Sequence, residues 1–262
     1  MARTDILIEE AKLMAQNRTD LVAALGAAGF TDVNDKTPLS EIAQYMKWSG
    51  TLLDIRIACY SKATKAQYFF SENEWSGLSS SGRSAYEIIG LCIRAEGTQF
   101  IIAKNDVNVD GTTGFTWGQF GQDVPGLANR SGDPAIFTYM DCDAATDTLI
   151  ADTANSGRAH DAASAARAYK TDGKADDPTK WSLMTAGQGY IVLHYTSEIN
   201  AAMKRIFGDG HGLVTNTPYW TSAPINQDQA WVVSMGSGNV GAYYKTGTCR
   251  VRPVASVISP AI

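Results

Sequence analysis

Two short acidic runs could hold a metal. Asp106-Val-Asn108-Val-Asp110-Gly111 sets oxygen ligands at alternating positions before a glycine, as the first half of a calcium loop does. Its twelfth position is Trp117 rather than a glutamate, so a polar turn is the expected reading. Asp141-Cys-Asp143-Ala-Ala-Thr-Asp147 is similar in kind and is also expected to be a turn. His160, His194 and His211 are scattered, and no Ser, Cys or carboxylate beside them has the spacing of a catalytic triad. Each is expected on the surface or on a helix. Cys59, Cys92, Cys142 and Cys249 form no Cys-x-x-Cys pair, so buried free thiols are expected in place of a metal cluster. Gly208-Asp-Gly-His-Gly212 and Gly236-Ser-Gly-Asn-Val-Gly241 lack the lysine and the strand–helix setting of a phosphate loop. No catalytic residue, metal or cofactor is expected.

The elements that must position these residues change character near Trp48. Over 4–28 the spacing of Leu7, Ala11, Met14 and Leu21 predicts helix, capped by Thr4, with a second start at Thr19 and stops at Gly26 and Gly29. Thr37-Pro38 starts a further short helix bearing Ile42, Tyr45 and Met46. Residues 1–48 hold too few large apolar groups for a core of their own, so their stripe is expected to anchor or oligomerise the chain. From Thr51 the period shifts towards two. Leu53–Ala58 and Gln67–Phe70 read as strands, Ser76–Arg83 as a Ser/Gly loop, and Tyr86–Arg94 with Thr98–Lys104 as a hairpin. Ala159–Tyr169 and Ser197–Phe207 read as helices, the second capped by Ser197 and stopped by Gly208. The expected class is α+β.

Composition narrows the field. The chain has 262 residues, 44% of them hydrophobic and 19% charged, which suits a globular protein. A net charge of −5 argues against a nucleic-acid partner. The absence of a long apolar run argues against membrane insertion, and acids interrupt the first ten residues too early for a secretory signal.

The last third carries anchored aromatic phrases in a fixed order. They are Trp181-Ser-Leu-Met-Thr185, Ile199-Asn200-Ala201-Ala202, Tyr219-Trp220-Thr221-Ser222, Gln229-Ala230-Trp231 and Arg250-Val-Arg252-Pro-Val254. Over roughly residues 51–258 this order resembles the C-type-lectin-like domains of the formylglycine-generating-enzyme type, found also on phage and bacterial adhesins. The resemblance implies a C-type-lectin-like domain over 51–262 that displays a binding surface. Relatives often carry Asp-x-Asp-Gly near Asp141, whereas this chain has Ala144 at the glycine. Formylglycine-generating enzymes use a pair of nearby cysteines close to the C-terminus. Cys249 stands alone there, so that activity does not carry over.

The C-terminal segment is rich in Tyr, Asn, Gly and Ser, the chemistry of an adaptable recognition surface. Tyr219, Asn226, Asp228, Asn239, Tyr243 and Tyr244 are the expected ligand-binding residues, whereas Trp181, Trp220 and Trp231 are expected to be structural. The resulting expectation is a phage virion protein, a head fibre, decoration or tail fibre, made in the host cytoplasm. It would assemble with other virion proteins through residues 1–48, form a homo-oligomer, and adhere to a host-surface glycan or protein. A degenerate formylglycine-generating-type enzyme and a bacterial cell-surface adhesin are the alternatives.

Overall fold

The computed structural model describes residues 53–258, so the helices expected within 1–48 lie outside the described residues. The chain divides into two compact units, residues 55–93 with 99–262, and a small one that holds Asp54 and residues 94–98. In the small unit the Arg94 guanidinium lies 3.4 Å from the Asp54 carboxylate, and Glu96 and Gly97 turn the chain at positive φ. The strand ends at Asp54, Arg94–Ala95 and Thr98 belong to this small unit, and the other described residues, apart from the turn at Glu96 and Gly97 and the residue before Asp54, to the larger one.

Its first sheet has five strands in the order β10-β4-β3-β1-β2. These are β1 Asp54–Ser61, β2 Gln67–Phe70, β3 Tyr86–Ala95, β4 Thr98–Ala103 and β10 Val254–Ser256. The strands and hairpin read from the period-two pattern are therefore present. β3 is buried without a break from Ile89 to Ala95, because a central strand is covered on both faces. The expected loop at Ser76–Arg83 is instead parts of two short helices, α1 Glu72–Gly77 and α2 Ser80–Ser84. Ser71 and Glu74 form a capping box and Ser79 caps Gly82, so the serines start helices there instead of breaking them.

Four longer helices follow. α3 Cys142–Ser156 corrects the reading of the Asp141 run as a turn. Asp141 caps it by accepting from the Ala144 amide at 2.9 Å, and Gly157 ends it at φ 71°. Arg167 donates to Asp143 and Asp147, and Ser182 and Lys180 share the same carboxylates, so these acids are structural. α4 Asp161–Ala168 buries Ala162, Ala163 and Ala166. α5 Ala186–His194 begins in a Thr185–Gln188 capping box. It crosses close over the next sheet at Gly189, where a Cβ would stand 2.6 Å from Val233 Cγ2. α6 Thr196–Phe207 buries Ile199, Ala202 and Met203 and stops at Gly208, but it starts at Thr196 and Ser197 does not cap it.

A second antiparallel sheet has the order β6-β7-β8, with β6 Tyr219–Pro224, β7 Gln229–Ser234 and β8 Asn239–Tyr244. A ribbon pairs β5 Phe115–Thr116 with β9 Thr248–Cys249. Trp117, Trp220, Leu149, Leu183 and Val251 share one core, and Trp181, Tyr60, Ile89 and Ile101 share another. All four cysteines are free and buried.

The Arg250-Val-Arg252 phrase closes the domain. Arg252, 1% exposed, donates to Asp106 Oδ1 at 2.6 Å and to the carbonyls of Ala103, Lys104, His211 and Gly212. Arg250 donates to Asp106 Oδ2 at 3.1 Å. Asp106 thus holds two guanidinium groups, while Asn108 Oδ1 accepts from the Gly111 amide in a tight polar turn.

Candidate binding surface

The three-stranded sheet has two faces, and strand alternation sorts the expected residues between them. In the β7–β8 register Ala230 faces Tyr243, Trp231 faces Ala242 and Gln229 faces Tyr244. Ala230 and Val232 belong to the core, and Tyr243 shares their face: its ring lies 5.9 Å from buried Trp220, while the residue stays 43% exposed. A Cβ at Gly247 would fall 2.2 Å from the Tyr243 ring, so this glycine provides the ring's seat. Tyr244, Ala242, Val240 and Trp231 line the other face. α5 covers that face at Val233 and leaves the Tyr244 end open.

The open end is aromatic. Tyr244 is 57% exposed and its ring lies 6.1 Å from that of Phe120, 56% exposed. Trp231 is half-buried, its ring 6.0 Å from Phe137, which in turn meets exposed Tyr190 of α5 at 5.5 Å. The Trp231 indole N–H is buried with no hydrogen-bond partner. Of the three tryptophans expected to be structural, Trp181 and Trp220 are fully enclosed and Trp231 belongs to this outer face.

Phe120 sits on a loop fixed at several points. The Gly121 amide donates to Asp228 Oδ1 at 3.0 Å, and the Gln122 amide to the Gln227 carbonyl at 3.1 Å. Lys245 Nζ donates to the Gln122 carbonyl at 2.7 Å, and Arg158 to Gln122 Oε1 at 3.1 Å. Lys245 is fully buried and rests over the Trp117 ring at 4.9 Å. Burial pushes its amine below the ordinary lysine range, against the pull of the Asp123 and Asp228 carboxylates. Arg158 is itself held by Asp152, to which His160 Nε2 also bonds at 2.8 Å. Burial works to raise the Asp152 carboxyl, but the bonds from Arg158 and His160 outweigh it and hold the group below the usual carboxylate range.

The remaining expected residues are placed as follows. Tyr219 is fully buried, and its hydroxyl donates to Asp106 and accepts from the Val214 amide. It is therefore a core residue, not a surface one. Asn226 shapes the β6–β7 turn, accepting from the amides of Asp228 and Gln229 at 2.8 Å. Asn239 is exposed at the far end of β8. Tyr244 alone of the six joins the open aromatic end, with Asp228 supporting it from behind. Phe120, Phe137 and Tyr190 were missed by sequence reasoning, because nothing in their neighbourhood marks them. His160, expected on the surface or on a helix, stands at the start of α4 and is buried, and both ring nitrogens are engaged, by Asp152 and by the Trp117 carbonyl. It has no nitrogen left to act as a base. Among the described residues no three His, Cys, Asp or Glu side chains are grouped to hold a metal, and no helix is long and apolar enough to cross a membrane.

Comparison of the chain with protein-family profiles, with curated proteins and with solved structures returns no match. The mixed α+β architecture stands on the described elements alone.

Proposed function

We propose that the chain is a phage virion structural protein, a head fibre, decoration or tail fibre, whose C-type-lectin-like domain adheres to a host-surface glycan or protein. The observation that carries the reading is the exposed Phe120–Tyr244 pair, Phe120 on a loop with four hydrogen-bonded anchors and Tyr244 at the end of β8. Exposed rings cost hydration free energy unless a partner covers them, and a fixed loop loses little entropy when it binds. The ordered series of aromatic phrases supports the fold assignment. The apolar spacing within residues 1–48 supports attachment of that segment to other virion proteins and homo-oligomer formation. Copy number would then turn weak single contacts into firm attachment.

The test is a Phe120→Ala/Tyr244→Ala double substitution in the full chain. Cell attachment should fall by about tenfold or more, since two central rings can each carry over about 1 kcal/mol. Folding should be retained, as both rings are more than half exposed. Full attachment by the folded double variant refutes this surface. Removal of residues 1–48, followed by light scattering, should lower the oligomeric state; an unchanged state refutes the anchoring role.

A further inference from the structure

A second concavity lies apart from the aromatic face, and its free chemistry is one-sided. It is a cleft of about 630 Å³ whose lining includes Asp106, Asn108, Thr113, Tyr169, Asp172 and Arg250. That volume is of the size that takes a small organic ligand, roughly 300–1,000 Å³. The cleft's acceptors are already consumed. Asp106 accepts from Arg250, Arg252 and Tyr219. Asp172 accepts from Lys104 at 2.9 Å and from Asn105 at 3.3 Å.

The donors are not consumed. Arg250 spends a single side-chain N–H on Asp106 and keeps its side chain 24% exposed. Asn108 uses its carbonyl oxygen within its own turn, and its amide N–H groups have no partner among the described residues. The Tyr169 hydroxyl is buried and donates to no acceptor among the described residues, although the Asn105 backbone lies close beside it; burial pushes its pKa up to about 12, so it remains a neutral donor. Thr113 makes no hydrogen bond with its side chain among the described residues. Asp172 is held at φ 50°, a conformation that non-glycine residues adopt at a cost and that concentrates at ligand clamps.

We infer that this cleft binds a sugar residue carrying a carboxylate, with the acid on the Arg250 fork and ring hydroxyls on Asn108, Thr113 and Tyr169. A guanidinium fork matches a carboxylate in two parallel hydrogen bonds, and a hydroxylated ring supplies the acceptors that the remaining donors lack. The cleft is separate from the Phe120–Tyr244 surface, so this inference survives or fails independently of the adhesion reading.

The test is calorimetric titration of the full-length chain with glucuronate and N-acetylneuraminate, with glucose and inorganic phosphate as controls. The acidic sugars should bind and glucose should not. Arg250→Gln should weaken binding by about tenfold or more, as loss of a charge-assisted pair does. Tyr169→Phe should weaken it by about threefold while leaving the chain folded, because its hydroxyl donates to no acceptor among the described residues. Thr113→Val serves as a further folded variant, and Tyr244→Ala should bind the acidic sugars as the natural chain does. Failure of both acidic sugars to bind overturns the inference. So does binding that is indifferent to Arg250→Gln and Tyr169→Phe. Phosphate binding as tightly as glucuronate overturns it too, by reducing the site to a bare anion contact.

Discussion

Arg252→Lys keeps the charge and removes the geometry, and it should unfold much of the domain's margin of stability. The guanidinium reaches Asp106 at 2.6 Å and four carbonyls, those of Ala103, Lys104, His211 and Gly212, at 2.9–3.1 Å. Those acceptors come from two separate stretches of chain, residues 103–106 and 211–212. A lysine ammonium has three donors on one atom and cannot span them. At least two buried acceptors then lose their donor, and each unsatisfied group costs about 1–3 kcal/mol. The separation of charge from Asp106 adds to this, and breaking a buried ion pair typically costs about 3–5 kcal/mol. Taking a loss of about 3–5 kcal/mol, the melting temperature of a domain of this size should fall by about 6–20 °C. Urea unfolding of the natural chain, Arg252→Lys, Asp106→Asn and the double variant would measure both the loss and the coupling. The two single changes should be non-additive by about 1 kcal/mol or more, because they act on one contact. A loss below about 1 kcal/mol for Arg252→Lys, with additive effects, would refute the account of this phrase as the clasp that closes the fold.

Asp177, buried and accepting from the Thr171 and Thr179 amides and the Trp181 indole, should give the domain an acid-labile limb. Burial works to raise its carboxyl, but these hydrogen bonds prevail and hold its pKa below the unfolded value of about 3.9. Its stabilisation is therefore complete above that value and lost as pH falls through the folded pKa; Asp177→Asn should flatten this limb in unfolding curves between about pH 2 and pH 6. Burial pushes the thiols of Cys59 and Cys249 up to about 12. No cysteine should react with an aromatic disulfide at about pH 8 until guanidinium unfolds the chain, and rapid reaction in the native protein would contradict their burial. Gly189→Ala should destabilise by about 1–3 kcal/mol despite alanine's better helix propensity, since its Cβ would press Val233; a neutral or stabilising result would mean α5 can lift away.

What the sequence disclosed depended on how many sides of each element are covered. α6 is covered on one side, so Ile199, Ala202 and Met203 recur at a readable period, whereas β1 is buried on both faces from Ile57 to Tyr60 and only its first half alternates. α5 buries Ala186, Gly187, Gln188, Gly189, Ile191 and Val192, so it shows no stripe, and its glycines look like breakers when they are contact points. α3 buries only small or polar groups besides Cys142 and Leu149, which gives its Asp/Thr-rich sequence the look of a turn. The surface was legible in composition but not in direction. Tyr243 and Tyr244 are neighbours in sequence, yet the pleat sends one to Trp220 and the other to Phe120. Tyr219 shares their chemistry and is buried because β6 is flanked by Val233 of β7 on one side and Arg250 on the other. Phe120 reached the site through the Gly121 amide's bond to the Asp228 carboxylate, 107 residues away in sequence, and the Gln122 amide's bond to the Gln227 carbonyl, which no local pattern encodes.

The alternation along β8 also divides that strand into two kinds of text. Tyr243 answers in part to the interior, where a new side chain must fit Trp220 and Gly247, and half-buried Val240 pairs with Val233 beneath α5. Ala242 and Tyr244 answer only to whatever lies outside. Two letters on one strand, and Phe120 beside them, can thus be rewritten while the fold reads the same. A lineage following a changing target could explore new specificities through these positions without first acquiring spare stability elsewhere.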